Sequence, residues 1–165
     1  MSTTFKPLFA SWTNIVCSID GLASSGTVGR ASTVVDNSTN LYQDALLGGF
    51  VQTAAGSIGT APTVYIYAYS DVDATPHYTE NITGTDASFT RTDPSNLKLI
   101  GLVNVNASAT GYYFGSFSVA AAFGGLLPKK WGIYVNNVTG LALTGTAGQN
   151  VTCLIGYTGI NQQGI

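Results

Sequence analysis

The sequence predicts an all-β fold, specifically an antiparallel eight-stranded sandwich of the jelly-roll type. Short runs alternate apolar and polar residues, which is the period of a half-buried strand. Val, Ile, Thr and Tyr are abundant, and glycine-rich turn signals separate most of the runs. No run has the length and periodicity of a three-turn helix. For eight strands in one domain of this size, the jelly roll is the common arrangement.

The turn signals divide the pattern into eight strands of ordinary length. Asp36-Asn37-Ser38 and Gly145 to Gly148 are examples of these turns. The predicted strands are, in chain order, Asn14–Asp20, Gly29–Asp36, Leu46–Ala54, Thr63–Asp71, Leu97–Asn106, Gly111–Val119, Trp131–Val138 and Val151–Thr158. In a jelly roll the first and last strands lie side by side, so we expect Asn14–Asp20 beside Val151–Thr158.

The two cysteines, Cys17 and Cys153, fall on the apolar faces of the first and last predicted strands. One interpretation is two reduced thiols that pack as small hydrophobic groups; the other is a disulfide between neighbouring strands. The N-terminus lacks the pattern of a signal peptide, so we expect synthesis in the cytoplasm, where disulfides are rare. That favours the reduced form. The cysteine spacing matches no metal motif.

Residues 1–12 are predicted to form an N-terminal arm, and residues 13–165 a single β-sandwich domain. The arm carries Phe5, Phe9 and Trp12 among few polar groups, a composition suited to docking on a neighbouring surface or to covering its own sandwich. A long loop at about residues 71–95 contains five of the eight acidic residues. Loops of that length are usually functional or mobile.

The charge content narrows the possible partners. Charged residues make up 8% of the chain, against about 25% in typical domains. The six basic residues are scattered, and only Lys129 and Lys130 are adjacent. Nucleic-acid binding draws on clustered Lys and Arg, so we expect none. No run reaches the roughly 18 apolar residues of a membrane helix. We therefore expect a partner bound through apolar burial and backbone hydrogen bonds.

The residue types that carry chemistry are few. His77 is the only histidine, and no Gly-x-Ser-x-Gly motif accompanies it, which favours an exposed loop histidine over a Ser-His-Asp triad. Asp71 and Asp73 imitate the start of a calcium loop, but the glycine and the closing glutamate of an EF-hand are missing. We predict no enzyme activity, no metal site and no cofactor.

Two groups of residues are candidates for an interface. Tyr65, Tyr67 and Tyr69 share one face of a strand that is apolar on both faces. Three interpretations of that face are open: it lies beneath the long loop, it forms a subunit interface, or it serves as a platform for stacking sugars. The second group is Lys129, Lys130 and Trp131: the lysine stems suit an apolar surface, and Trp131 is either a core residue or an interface anchor.

Three stretches, Gly21–Ser25, Gly29–Leu47 and Tyr112–Leu143, resemble small structural proteins encoded among the virion genes of tailed bacteriophages. The resemblance implies a virion component made in the bacterial cytoplasm, specifically a jelly-roll decoration (cement) protein. Its expected partner is the major capsid protein or another virion protein, and we expect a homo-oligomer, with a trimer favoured. A different class of function, a lectin-like carbohydrate-binding module on a phage tail or head fibre, is the alternative.

Overall fold

The computed structural model describes residues 5–75 and 77–164. These residues form eleven strands and two short 3₁₀ turns, Thr79–Asn81 and Ala120–Phe123. The strands are β1 Phe5–Phe9, β2 Thr13–Asn14, β3 Val28–Ala31, β4 Val35–Asp36, β5 Asp44–Gln52, β6 Thr63–Ser70, β7 Ala87–Thr90, β8 Lys98–Asn104, β9 Gly111–Ser118, β10 Lys130–Asn137 and β11 Leu154–Gly164.

The strands form two antiparallel sheets. The first sheet has the order β1-β11-β5-β9, with β2 also paired to β11. The second sheet has the order β7-β3-β10-β6-β8, with β4 also paired to β10. Their inner faces share one hydrophobic core, in which Leu47 and Ile155 of the first sheet pack with Ile66 and Ile133 of the second. The predicted all-β sandwich of antiparallel sheets is therefore confirmed.

The number of strands differs from the predicted eight, for local reasons. The first predicted strand is reduced to β2, although Ile15 still donates a backbone hydrogen bond to Ile155 of β11. The second predicted strand is split into β3 and β4 at Ser32. There the Ser32 hydroxyl, rather than a backbone carbonyl, accepts the N–H of Ile133 at 3.0 Å. A side chain that replaces the backbone as acceptor interrupts the regular ladder.

Two strands lie in segments that were predicted to be irregular. The arm forms β1, which pairs with the end of β11 from Phe9 opposite Ile160 to Phe5 opposite Gly164. It thus extends its own sheet at the edge. The long loop contains β7, which pairs with β3 and extends the second sheet.

The loop between β6 and β8 covers the outer face of the second sheet. Its residues Tyr78, Ile82 and Leu97 are buried in a small second core with Tyr69 and Tyr134. This cover buries Tyr69 fully and leaves Tyr65 and Tyr67 half-buried, which explains how a strand can be apolar on both sides.

Two carboxylates fasten this loop. Asp86 accepts the backbone N–H of Ser18 at 3.1 Å, the Ser18 hydroxyl, and Nε of Arg30 at 2.5 Å. Glu80 accepts hydrogen bonds within the loop from Thr92, from Ser95 and from the N–H of Asn96. Partial burial raises the pKa of both carboxyl groups, but these hydrogen bonds outweigh it, so each pKa lies below its usual value.

Cys17 and Cys153 are both buried free thiols. Burial raises the pKa of each thiol, so both stay protonated at neutral pH. The expectation of two reduced cysteines that pack as small hydrophobic groups is confirmed.

We predict that Asp20→Asn lowers the free energy of unfolding by about 2–3 kcal/mol, because hydrogen bonds to a charged group are worth about that much. Asp20 is buried, and its carboxylate accepts the N–H groups of Val151 and Thr152 at 3.0 Å and of Cys153 at 2.6 Å. An amide would point two donors into this cluster. Urea unfolding measures the change, and the exposed Asp93→Asn is the matched control, expected within about 0.5 kcal/mol of the parent. Equal midpoints for the two variants would contradict the assignment.

We also predict that acid loosens the loop. Because the pKa of Asp86 and of Glu80 is lowered by folding, the unfolded chain binds protons more readily than the folded chain does. The two carboxylates contribute their full stabilisation of the fold above the ordinary carboxyl pKa values of 3.8 and 4.5. That stabilisation is lost as the pH falls through and below these values. Urea midpoints measured from neutral to acidic pH should fall in this window. Asp86→Asn should be less stable at neutral pH and show a shallower acid decline, whereas Asp93→Asn should keep the parent slope. A parent slope in Asp86→Asn would sink the idea.

Candidate functional site

The tyrosine face of β6 is largely covered. Tyr69 is fully buried, its hydroxyl donates to the carbonyl of Ser32 at 2.7 Å, and its ring meets Tyr78 edge to face at 5.7 Å. Burial raises the pKa of the Tyr69 hydroxyl well above its usual value. Tyr69 is therefore a core residue beneath the long loop, and its assignment to an interface is wrong.

Tyr65 and Tyr67 are half-buried at the margin of this covered face. The guanidinium of Arg91 lies 5.9 Å above the Tyr67 ring, and Tyr134 packs against the same ring at 6.1 Å. Tyr134 in turn donates its hydroxyl to Thr27, and burial raises its pKa to about 12. One side of the Tyr67 ring is thus already occupied by an arginine, which leaves little room for a stacked sugar.

The second candidate group is divided between the core and the surface. Trp131 is fully buried and meets Tyr157 edge to face at 5.2 Å, so the core alternative is correct and the anchor alternative is wrong. Lys129 is exposed, and Lys130 lies half-buried with Nζ 4.0 Å from a carboxylate oxygen of Asp36. A pair this exposed contributes little to stability.

The outer face of the first sheet, which we call the open face, has no comparable cover among the described residues. A groove of about 520 Å³ crosses it. Its lining combines residues of the arm and of β2 with residues of β5, β9 and β11: Phe9, Trp12, Asn14, Leu46, Leu47, Gly48, Gly49, Phe50, Tyr113, Phe114, Gly115, Ser116, Leu154 and Thr158. None of these fourteen described residues is charged. Of the arm residues expected at an interface, Phe9 and Trp12 line the groove, whereas the side chain of Phe5 is outside the described part of the structure.

Three glycines form the floor of the groove. Gly156 of β11 is opposite Gly48 of β5, which is opposite Gly115 of β9, so they make one row across three strands. We call this the glycine row. None of the three has a positive φ, so the backbone does not require glycine there. The absence of side chains is what creates the depth of the groove.

Aromatic rings form the walls and one end. Phe50 and Tyr113 pack at 4.8 Å between ring centroids, and Tyr113 is 88% exposed. Trp12 lies on Gly156, where an added Cβ would come within 2.6 Å of the indole, and its Nε1 donates to Asn14 at 2.9 Å. The indole therefore closes the row at β11 and reaches toward Gly48, which is buried, while the row is open at Gly115.

Sequence reasoning missed Phe50 and Tyr113, although a usable signal was present. β5 carries apolar residues on both faces, as β6 does, and Tyr113 alternates with Gly111 and Gly115 along β9. A tyrosine between two outward glycines has no neighbours along its own strand. That pattern marks an exposed ring better than the three tyrosines of β6 did.

The single histidine of the sequence, His77, does not line the groove. His77 is exposed and pairs with Asp73 at 2.6 Å, and this contact, led by the hydrogen bond from His77, lowers the pKa of Asp73. No group of three or more His, Cys, Asp or Glu that could hold a metal ion occurs among the described residues. The open face, with its uncharged groove, is the candidate functional site.

Comparisons add no relative to this picture. In the described part of the chain, no helix is both long and apolar enough to cross a membrane. No family model matches the sequence, and no curated protein and no solved structure matches it either. The functional argument therefore depends on the geometry of the open face.

Proposed function

We propose that this chain is a non-enzymatic structural protein that acts by docking on other protein through apolar surface. The observation that carries the proposal is the open face: exposed aromatic rings around an uncharged groove, on a sheet whose counterpart is covered by its own loop. Exposed apolar patches of this kind on a folded domain are typical of sites of protein association.

More specifically, we propose a decoration (cement) protein of a bacteriophage capsid. Such a protein binds across neighbouring shell subunits and adds binding free energy to the assembled state. The shell repeats each contact many times, so a small free energy per copy is sufficient. A surface with few charges suits this role, because its binding depends little on ionic strength. The stretches that resemble phage virion proteins support the same assignment, with the major capsid protein or another virion protein as partner and the virion as location.

We also propose that the sandwich is an elaborated jelly roll. With β1 and β7 set aside and β3 and β4 counted as one interrupted strand, eight strands remain. Numbered in chain order, the first sheet then has the order 1-8-3-6 and the second 2-7-4-5. This is the strand order of a jelly roll, a fold common in viral capsid and lectin domains. In this proposal β1 and β7 are additions at the sheet edges.

A second candidate is carbohydrate binding on a tail or head fibre, now placed at the groove rather than at Tyr67. Tyr113 and Trp12 are exposed rings, and the hydroxyl groups of Ser116 and Thr158 lie in the same lining. A glycan array with the parent chain and Tyr113→Ala separates the candidates. A sugar signal that is lost in Tyr113→Ala favours the lectin, and no signal for either chain removes it.

The test of the decoration function is the copy number of this chain in purified particles, measured by quantitative mass spectrometry. We expect hundreds of copies per particle, because a cement protein repeats with the lattice of the shell. A handful of copies would place the chain on the tail or at a vertex instead. Absence from particles would overturn the virion assignment while leaving the open face unexplained.

A further inference from the structure

The outer face of the second sheet is covered by the loop between β6 and β8, whereas no described segment of the chain covers the open face in this way. Phe9, Trp12 and Tyr113 are each more than half exposed, and Leu46, Phe50 and Leu154 are half-buried beside them. We propose that this face binds the same face of a second copy of the chain, so that two copies pair around a twofold axis. This inference rests on the proposed function, because it names the first partner of the same assembly surface.

Charge is the first argument for a second copy. The chain has a formal net charge of −2, so two copies repel each other over most approaches. The groove and its walls contain no charged residue among those described, because Asp44 at the start of β5 lies outside the groove, so like-charge contact is avoided where two grooves meet. A partner selected by opposite charge would need a charged patch, which this lining does not offer.

The shape of the face is the second argument, because it holds a projection and a cavity side by side. Tyr113 stands at the rim of the groove, and the glycine row beside it is open at Gly115, which is exposed. In a twofold interface the same patch is used by both copies, so residue i contacts j and j contacts i. The Tyr113 ring of each copy would then enter the groove of the other and lie above the glycine floor. A glycine within a strand often marks such a close approach.

The edges of the first sheet argue against the competing mode, in which two copies join strand to strand. Ala10 donates its N–H to Gly159, so by alternation the N–H groups of Leu8 and Lys6 also point toward β11. Position 7 then faces the open edge, where Pro7 has no N–H to donate. The opposite edge strand, β9, is interrupted by a bulge between its partners Leu47 and Gly48. The proline in β1 and the bulge in β9 both hinder the pairing of these edges with another strand. The open face then remains as the docking surface.

The area of the face is sufficient. Strands lie about 4.8 Å apart and rise about 3.4 Å per residue, so four strand positions and the nine residues of β5 span roughly 600 Å² in projection. Side-chain relief increases this value. A specific interface buries about 800 Å² per partner, and the open face is of that order. Pairing of this kind gives a dimer, whereas the trimer expected from the sequence would require two different patches per copy.

Sedimentation velocity of the full chain across a wide concentration range tests the pairing. We expect a monomer–dimer equilibrium. Tyr113→Ser should raise the dimer dissociation constant at least tenfold, as loss of an aromatic anchor does. Gly115→Ala should also raise it, by adding a methyl group to the floor. An added Cβ there lies 3.3 Å from Gly48 Cα and 3.6 Å from the Leu47 carbonyl, so the Gly48 backbone must shift by a few tenths of an ångström to admit it.

Two matched controls keep the test specific. Val72→Ser removes an exposed apolar side chain from the loop on the other sheet, and Gly26→Ala adds a methyl group where nothing lies within 4 Å. Both should leave the dissociation constant unchanged, and urea midpoints should show that all variants fold. A monomer at every concentration, a trimer, or a dimer unaffected by both Tyr113→Ser and Gly115→Ala would overturn the pairing. A monomeric chain found in hundreds of copies per particle would overturn only the pairing, and a dimer absent from particles only the virion assignment.

Discussion

The structure depends on one constraint: a sheet that is apolar on both sides needs a cover on both sides. β5 directs Ala45, Leu47 and Val51 into the core while Leu46 and Phe50 face outward, and β6 is equally apolar on its two faces. Two stacked sheets can cover only their inner faces. The loop between β6 and β8 covers a third face, and the fourth has no cover among the described residues. The fold leaves exposed aromatic rings on that fourth face, which makes it the candidate functional surface.

The sequence was sufficient to locate most strands but not to distinguish their outer faces. Alternation of period two is a local signal, and it placed β5, β6, β8, β9 and β10 within about two residues of their ends. The cover on the second sheet depends on contacts between residues far apart in the chain, such as Asp86 with Arg30 and Ser18. No periodic pattern encodes such a pair. The interruption between β3 and β4 at Ser32 also could not be predicted from periodicity. It arises because the Ser32 hydroxyl, and not a backbone carbonyl, accepts the N–H of the distant residue Ile133.

The candidate residues show the same limit at the level of single side chains. Aromatic residues were selected because large rings are common at interfaces, yet rings of the same size also fill cores. Trp131 and Tyr69 are fully buried, whereas Tyr113 is almost fully exposed, although all three lie in apolar strands. They differ in the side chains that pack against each ring. Tyr69 lies beneath Tyr78 of the loop, while Tyr113 is flanked along β9 by Gly111 and Gly115.

The glycine row gives the strongest reason to treat the open face as a working surface. Glycine within a strand costs stability, since it loses more backbone freedom on folding than other residues and contributes no packing. Gly156 is explained inside the chain, because Trp12 occupies the space of its missing side chain. Gly48 is explained in part, because a Cβ there would press on the carbonyl of Phe114 at 3.0 Å. Gly115 is the least crowded of the three: its φ is ordinary, and an added Cβ would lie 3.3 Å from Gly48 Cα and 3.6 Å from the Leu47 carbonyl. The folded chain therefore gives a weaker reason for glycine at Gly115 than at Gly48 or Gly156, and the proposed docking of a second copy supplies a further one.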